Sequence, residues 1–409
     1  MSETALRSRP APQALPRLLT DIEAGRPLTL AEHFRAFGTL TLPADLIGEI
    51  AEAGLRGRGG AAFPAAEKLR AVARQRGRPV VVVNAVEGEP ASSKDRALAR
   101  LTPHLVLDGG LAAAAALGAR RMIVGVADSA GAERLALSRA VAERQRHERV
   151  QIEIRPVPDA FVTGEETALL RSLDGGPAKP TLKPPYPFER GFDKAPTLVH
   201  NAETFAHVAL IARFGAAWFR AAGTADAPGT ALVTLKGAVS RPGVHEIELG
   251  ATLGEVLLRL GGTSEAVSGY LVGGYFGGFV AAADAASHRL TPDTLGAGAI
   301  VAFPARACAV AETARVARYL AGESAGQCGP CVNGLDATAS ALEELARGGG
   351  DRLARIARWT EMVRGRGACR HPDGAARFVV SALSVFAADF EQHARHGRCK
   401  HRRLEVLPL

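Results

Sequence analysis

Cysteine is scarce in this chain: five among 409 residues, at positions 308, 328, 331, 369 and 399. A sparse, odd set excludes the disulfide framework of a small secreted domain and leaves metal ligation or free thiols as the use of sulfur. Aromatic residues are few as well, 5% of the total against 45 glycines. A chain poor in Phe, Tyr and Trp and rich in Ala and Gly suits helices and tight turns better than an all-β sandwich. Long apolar runs are also missing. The best candidate, LVLDGGLAAAAALGA, contains Asp108 and three glycines and falls short of the roughly 20 apolar residues that a membrane span needs. MSETALRSRPAPQALPRLL lacks the apolar core of a signal peptide. The expectation is a cytoplasmic protein without a transmembrane segment, a place at the edge of a membrane complex being compatible.

The remaining composition, 47% hydrophobic and 22% charged, is that of an ordinary globular protein, and the length allows two to four domains. The formal net charge of +8 comes mostly from scattered arginines; only RHGRCKHRR near the C-terminus is a dense basic run. No aromatic-interleaved basic motif accompanies it, so nucleic-acid binding is not expected. A basic surface would also steer an acidic protein partner.

Strand and helix signals alternate from about residue 44 to 157. RPVVVVNAV is a continuous β-branched run, RMIVGVA (121–127) and QIEIRPV (151–157) follow, and the segments between them read as helices. One of these helices starts at Thr102-Pro103, with Thr in the N-cap position and Pro at N1. Buried strands alternating with helices predict a parallel sheet. From about 228 the pattern becomes strand, Pro-Gly turn, strand, then a short helix capped by Thr252, closing near AIVAFP (299–304). Beyond 305 four helices of bundle length are expected, with Cys328 and Cys331 at the first turn between helices and Cys369 at a later one.

Four stretches have the residue types of a binding site. GLRGRGGAAFPAAEKLR (54–70) places glycines before a helix beginning near Pro64, with Arg56, Arg58 and Lys68 adding positive charge. Such a loop serves either as a phosphate cradle or as a flexible connection. NAVEGEPASSKDR (84–96) leaves the C-terminal end of the strongest strand, the edge where open α/β sheets bind ligands, although an ordinary solvated loop would read the same way. TGEETALLRSL (163–173) is an acidic helix start that the helix dipole favours in any case. LKPPYP (182–187) reads as rigid and extended, fit to position a lysine and a ring, and PTLVHNAETFA (196–206) follows it.

Together and in this order, these stretches and the turn ESAGQCGPC (323–331) strongly resemble the flavin- and NADH-binding, 51-kilodalton-type subunit of respiratory complex I, a family shared with NAD-dependent hydrogenases and formate dehydrogenases. The resemblance runs from about 40 to 390. It implies an α/β fold with four parts: a lead-in (1–35), a Rossmann-like FMN- and NADH-binding domain (36–225), a β-grasp, soluble-ligand-binding module (226–304) and a helical iron–sulfur domain (305–409). It implies FMN held by Gly57, Arg58, Gly60, Lys68, Asn84, Glu87, Gly164, Glu165, Asn201 and Thr204. NADH would be packed or bonded by Phe63, Lys183 and Tyr186, with Glu89 and Glu166 near the nicotinamide as positioning groups. Two positions depart from the family pattern. Val86 stands where an acidic residue is usual, and Ala71 replaces a second adenine-facing aromatic, a loss on the order of 1 kcal/mol. The implied activity is hydride transfer between NAD(H) and FMN, with electrons passed through an iron–sulfur centre to a ferredoxin-like or other redox subunit.

The family's first cluster cysteine is Ala325 in this chain. Cys328, Cys331 and Cys369 match the other three ligands. Three outcomes stay open: a 4Fe-4S cluster with a substitute ligand drawn from Cys399, Cys308 or His371, a 3Fe-4S cluster, or zinc on Cys328, Cys331, Cys369 and His371. The alternative function is a non-catalytic or zinc-stabilised subunit of an oxidoreductase complex without a working cluster.

Overall fold

The computed structural model describes residues 14–20, 25–144 and 149–409. The first part of the chain holds α1 (Leu30–Phe37), α2 (Leu46–Ala53), α3 (Ala65–Ala73), β1 (Val80–Asn84), α4 (Lys94–Leu101), α5 (Pro103–Leu117), β2 (Arg121–Ala127), α6 (Gly131–Arg144), β3 (Gln151–Val157), α7 (Glu166–Leu173), β4 (Thr197–Asn201) and α8 (Ala202–Arg220). β1 to β4 form a wholly parallel sheet in the order β3-β2-β1-β4. Helices on its faces bury the run Val81–Val83 completely, and the near-continuous apolar pattern of β1 is the consequence. The chain adds β2 and β3 on one side of β1, then crosses to place β4 on the other. The strand order therefore reverses between β1 and β4, the switch point beyond whose C-terminal ends open α/β sheets form their ligand crevice.

Thr102 does sit before Pro103, but its hydroxyl is buried with no hydrogen-bond partner among the described residues, so Pro at N1 and not a side-chain cap starts α5. The last residues of the helix expected before β3 (145–147) lie outside the described residues. Much of the expected lead-in is also outside them, yet α1 begins in that stretch, started by a Thr29–Glu32 capping box. Leu18 is fully buried, with its N–H on Glu246.

The next unit holds β5 (Thr230–Gly237), β6 (Gly243–Glu248), α9 (Leu253–Arg259), β7 (Val267–Val272), β8 (Gly278–Ala281), α10 (Pro292–Leu295) and β9 (Ala299–Pro304). Its sheet runs β6-β5-β9-β7-β8, with the last strand inserted between the first and third and parallel to the first. That is the β-grasp arrangement. Thr252 caps α9 through a full capping box with Glu255.

The C-terminal unit holds α11 (Ala309–Gly322), α12 (Asp336–Ala346), α13 (Leu353–Val363), α14 (His371–Val385) and α15 (Ala387–His396). Five helices appear where four were expected. The final apolar stretch breaks at Phe386 (φ −109°, ψ 29°), whose ring packs edge-on against Phe279 at 4.9 Å and beside Phe303. Packing on the β-grasp sheet thus overrides helix propensity at that residue. Among the described residues no helix is long and apolar enough to cross a membrane.

Candidate functional site

Asn84 and Asn201 end β1 and β4 and are register partners, so both stand at the strand-order reversal. Asn84 Nδ2 donates to Gly164 O at 2.8 Å and ties the strand end to the turn before α7. The glycine loop between α2 and α3 closes over the other side. Gly57 N donates to Phe63 O at 2.8 Å, and a Cβ on Gly59 would lie 3.2 Å from that of Asn201. Gly60 has φ +101°, a conformation that L side chains rarely adopt. Among the described residues, the N–H groups of Gly59, Gly60 and Ala61 donate to no protein acceptor, and all three residues are exposed. Unpaired backbone donors ahead of a helix are the chemistry of an anion cradle.

Around this cradle the structure gathers most of the expected residues. Lys68 on α3 reaches Glu166 at 2.7 Å, and Lys183 reaches Glu166 at 2.7 Å and Glu165 at 3.0 Å. Burial works against the charged form of Glu166, but the two lysines outweigh it and lower its carboxyl to about 2. Glu165 caps α7, accepting from the N–H groups of Thr167 and Ala168. Phe63 and Tyr186 are 50% and 44% exposed, and Tyr186 stacks on Phe188 with ring centroids 5.4 Å apart. The LKPPYP stretch is not extended as expected: the chain bends at residues 183–185.

Four expected contacts are redirected. The Arg58 guanidinium is turned inward, bonding Thr230 O at 3.0 Å and lying 3.9 Å from Glu203, while its N–H is taken by Thr204 Oγ1. Arg58 and the fully buried Thr204 therefore hold the loop in place and do not face the crevice. Both oxygens of Glu87 accept at the start of α4, from Ser92 Oγ and from the N–H groups of Lys94 and Arg96, because a helix N-terminus offers unpaired donors to a carboxylate. Glu89 is buried, with its oxygens on Ala91 N (3.0 Å) and Tyr275 N (2.7 Å). Burial pushes its carboxyl up to about 7, those two N–H groups opposing.

Beneath the crevice lies a buried ionic network that the sequence pattern does not announce. Lys94 Nζ lies 2.9 Å from Asp95, 3.0 Å from Glu203 and 3.3 Å from Asn201 Oδ1. Asn201 Nδ2 donates to Asp95 at 2.6 Å, and Glu203 accepts from Leu232 N of the β-grasp unit at 2.8 Å. Burial opposes the charge on Lys94, but the carboxylates of Asp95, Glu203 and Glu87 prevail and hold it protonated. The available signal was a charged residue inside an apolar stretch, Glu203 in NAETFAHVALIA.

The sulfur site adjoins the crevice. Burial pushes the Cys331 thiol up to about 12, with the nearby sulfurs of Cys328 and Cys369 adding to it. Glu165, the cap of α7, is near enough to raise the Cys369 thiol as well. The turn is pinned to the first unit by Gln327 Nε2 on Pro180 O (2.8 Å) and by Phe161 N on Glu323 (2.8 Å). Ala325 is buried and offers no ligand atom. Cys308 and Cys399 are not its substitutes. Cys308 precedes α11 and Cys328 follows it, and a 14-residue helix separates its ends by about 21 Å. His371 bonds Leu320 O through Nε2 at 2.7 Å, leaving only Nδ1 unpartnered. Three convergent thiols fit iron–sulfur ligation with one position supplied from elsewhere, and the glycine loop with its free N–H groups fits a flavin phosphate.

A crevice built for a phosphorylated cofactor, set against three converging thiols, defines an electron-transfer module of the flavin and iron–sulfur class. Residues 50–210 match the family described as Nuo51 FMN-binding domain, and residues 311–393 match the NADH-ubiquinone oxidoreductase-F iron-sulfur binding region. The chain is 32% identical over 388 residues to the F 2 subunit of the NADH-quinone oxidoreductase of Rhizobium meliloti, spanning 89% of this chain and 92% of that one. It is 30% identical over 380 residues to the HndC subunit of the NADP-reducing hydrogenase of Solidesulfovibrio fructosivorans, 87% and 77% of the two chains. An NAD+-reducing NiFe-hydrogenase in its air-oxidized state is similar in structure, with TM-score 0.82 and 32% identity over 96% of this chain and 69% of the other. In the H2-reduced state the TM-score is 0.79 at 33% identity, covering 85% of this chain and 62% of that chain, a little under two thirds. The chain belongs to the Nuo51 family of NADH-quinone oxidoreductase subunits: an FMN-dependent, NADH dehydrogenase-type module with an iron–sulfur binding region. Its relatives are subunits of multi-subunit complexes.

Proposed function

We propose that residues 36–225 hold FMN and NADH at the crevice between β1 and β4, that the β-grasp unit (226–304) closes one wall, and that Cys328, Cys331 and Cys369 of the helical unit (305–409) ligate the cluster. When bound, FMN supplies two-electron exchange with NADH and one-electron release. The loop offers the N–H groups of Gly59, Gly60 and Ala61 to the flavin phosphate, with Lys68 adding charge. Asn84, Gly164, Glu165 and Asn201 line the flavin side, while Glu87, Arg58 and Thr204 fix the segments that carry them. Phe63, Tyr186 and Lys183 receive the dinucleotide. Glu166 keeps its charge and orients the nicotinamide end, and Glu89 acts through the Tyr275 turn it holds. The observation that carries this reading is the row of unpaired N–H groups at Gly59 to Ala61, set directly against Asn201.

Gly60→Val tests it. A β-branched residue at φ +101° strains the loop by about 1–3 kcal/mol, so bound flavin should fall ~10- to 100-fold while far-ultraviolet circular dichroism stays the same. A variant retaining stoichiometric flavin would place the phosphate elsewhere.

The onward partner in this reading is an acidic, ferredoxin-like or other redox subunit in the cytoplasm, drawn by the +8 net charge. Raising ionic strength to 0.15 M shortens screening to about 8 Å and should slow reduction of such a partner several-fold. A salt-independent rate would remove the electrostatic argument.

A further inference from the structure

Two cysteines take no part in the sulfur site, yet they meet each other. Cys308 caps α11, its Sγ accepting from Ala311 N at 3.4 Å. Cys399, just past α15, brings its Sγ within 3.5 Å of that of Cys308. His393, in the last turn of α15, points Nε2 at Cys308 Sγ from 3.4 Å. The three ligand atoms all lie within 4.8 Å of one another.

We propose that Cys308, His393 and Cys399 bind a zinc ion, at a site separate from the cluster turn, and that the ion staples the C-terminal tail to the base of the helical unit. The distances are those of a coordination shell. Tetrahedral zinc, with Zn–S about 2.3 Å and Zn–N about 2.0–2.1 Å, puts two sulfurs about 3.8 Å apart and a sulfur and nitrogen about 3.6 Å apart. The observed edges of 3.5 and 3.4 Å lie close to these values. A disulfide would need the sulfurs at about 2.05 Å.

The imidazole is held in the tautomer that ligation requires. His393 Nδ1 lies 3.3 Å from Leu345 O, and a carbonyl takes only a donor, so the proton is on Nδ1 and the Nε2 lone pair faces the sulfurs. A single S–H to nitrogen hydrogen bond would account for Cys308 and His393. It gives no reason for a second thiol at the same point. Cys308 and His393 are almost fully buried, and Cys399 is half-buried, which leaves the fourth position open to a water molecule. Two thiolates and an imidazole select zinc over magnesium or calcium. Binding releases the two thiol protons to solvent, and no electron moves.

The staple fixes a tail that reaches the wall of the crevice. Cys308 N donates to Arg402 O at 2.7 Å, and Arg402 N to Arg306 O at 2.8 Å. Further along, Leu407 N bonds Glu312 at 3.0 Å and Pro408 O accepts from the Tyr275 hydroxyl. Tyr275 is the residue whose N–H holds Glu89.

The test is zinc, iron and flavin analysis of the full chain purified anaerobically from zinc-supplied cells. It is run on the unmodified protein, on the Cys308→Ser/Cys399→Ser double variant, on His393→Gln, and on Cys328→Ser/Cys331→Ser. The expected result is about one zinc per unmodified chain, retained in the Cys328/Cys331 variant. In the other two variants zinc falls at least ~10-fold with flavin and iron unchanged, and backbone hydrogen exchange across residues 397–409 accelerates. Absence of zinc from the unmodified protein overturns the proposal even if a variant fails to fold. So does zinc lost only with Cys328 and Cys331, or a Cys308–Cys399 cross-linked peptide in an unreduced digest.

Discussion

Replacing Lys94 with methionine is expected to destabilise the folded protein by about 3–5 kcal/mol. Lys94 is almost fully buried, and its ammonium is the shared partner of Asp95, Glu203 and Asn201. Methionine fills a similar volume but leaves two carboxylates in a dry interior. An uncompensated buried charge is far more costly than the loss of an exposed ion pair, which is worth about 1 kcal/mol or less. The damage should also reach the site. Asn201 loses a donor beside the glycine loop, and Glu203, which receives Leu232 N, loses its nearer counter-charge and keeps only Arg58 at 3.9 Å. The measurement is urea unfolding followed by both flavin release and circular dichroism, with the midpoint and slope compared for the two proteins. A midpoint shift equivalent to less than about 1 kcal/mol would mean that the network is solvated and not the buried floor of the crevice.

The second large effect is expected at Cys331. Cys331→Ser removes the most buried of the three convergent thiols. Loss of a direct ligand should lower bound iron beyond the ~10- to 100-fold that a supporting contact typically costs. The flavin crevice uses none of the cysteines, so flavin content and NADH oxidation by a two-electron dye should persist. Reduction of a one-electron protein acceptor should collapse along with the iron. The two activities separate in this variant because the crevice and the sulfur site share a wall, through Glu165, Gln327 and Glu323, but not their ligands.

What was legible in the sequence follows from how each segment is buried. β1 and β2 were readable because near-continuous apolar runs are what a doubly covered parallel strand requires, and the partly buried edge strand β3 was readable from its alternation of apolar and polar residues. The Thr252 helix was readable from its capping box. β4 and α8 were not. TLVHN, residues 197–201, carries too few apolar residues for a strand signal, and α8 is apolar nearly all round, so it shows no amphipathic stripe. The motif residues were legible as a set, and the structure brings Lys68, Asn84, Gly164, Glu165, Glu166, Lys183 and Asn201 to one crevice. Where their side chains point was not legible. Arg58, Glu87 and Glu89 each find a nearer donor or acceptor in the fold than a ligand would offer, and those partners lie on segments distant in sequence or on a helix end. Lys94, Asp95 and Glu203 were missed because charged residues are almost always exposed unless paired, and the pairing spans more than a hundred residues of chain.

Passage of electrons from NADH through the flavin to the sulfur site is decided by an anaerobic NADH titration of the unmodified protein beside Cys331→Ser, recorded at the flavin absorbance band and by low-temperature electron paramagnetic resonance. NADH should bleach the flavin in both proteins, and a reduced iron–sulfur signal should appear only in the unmodified one. A protein that carries no flavin, a flavin that NADH does not bleach, or the same iron–sulfur signal in both samples would contradict it.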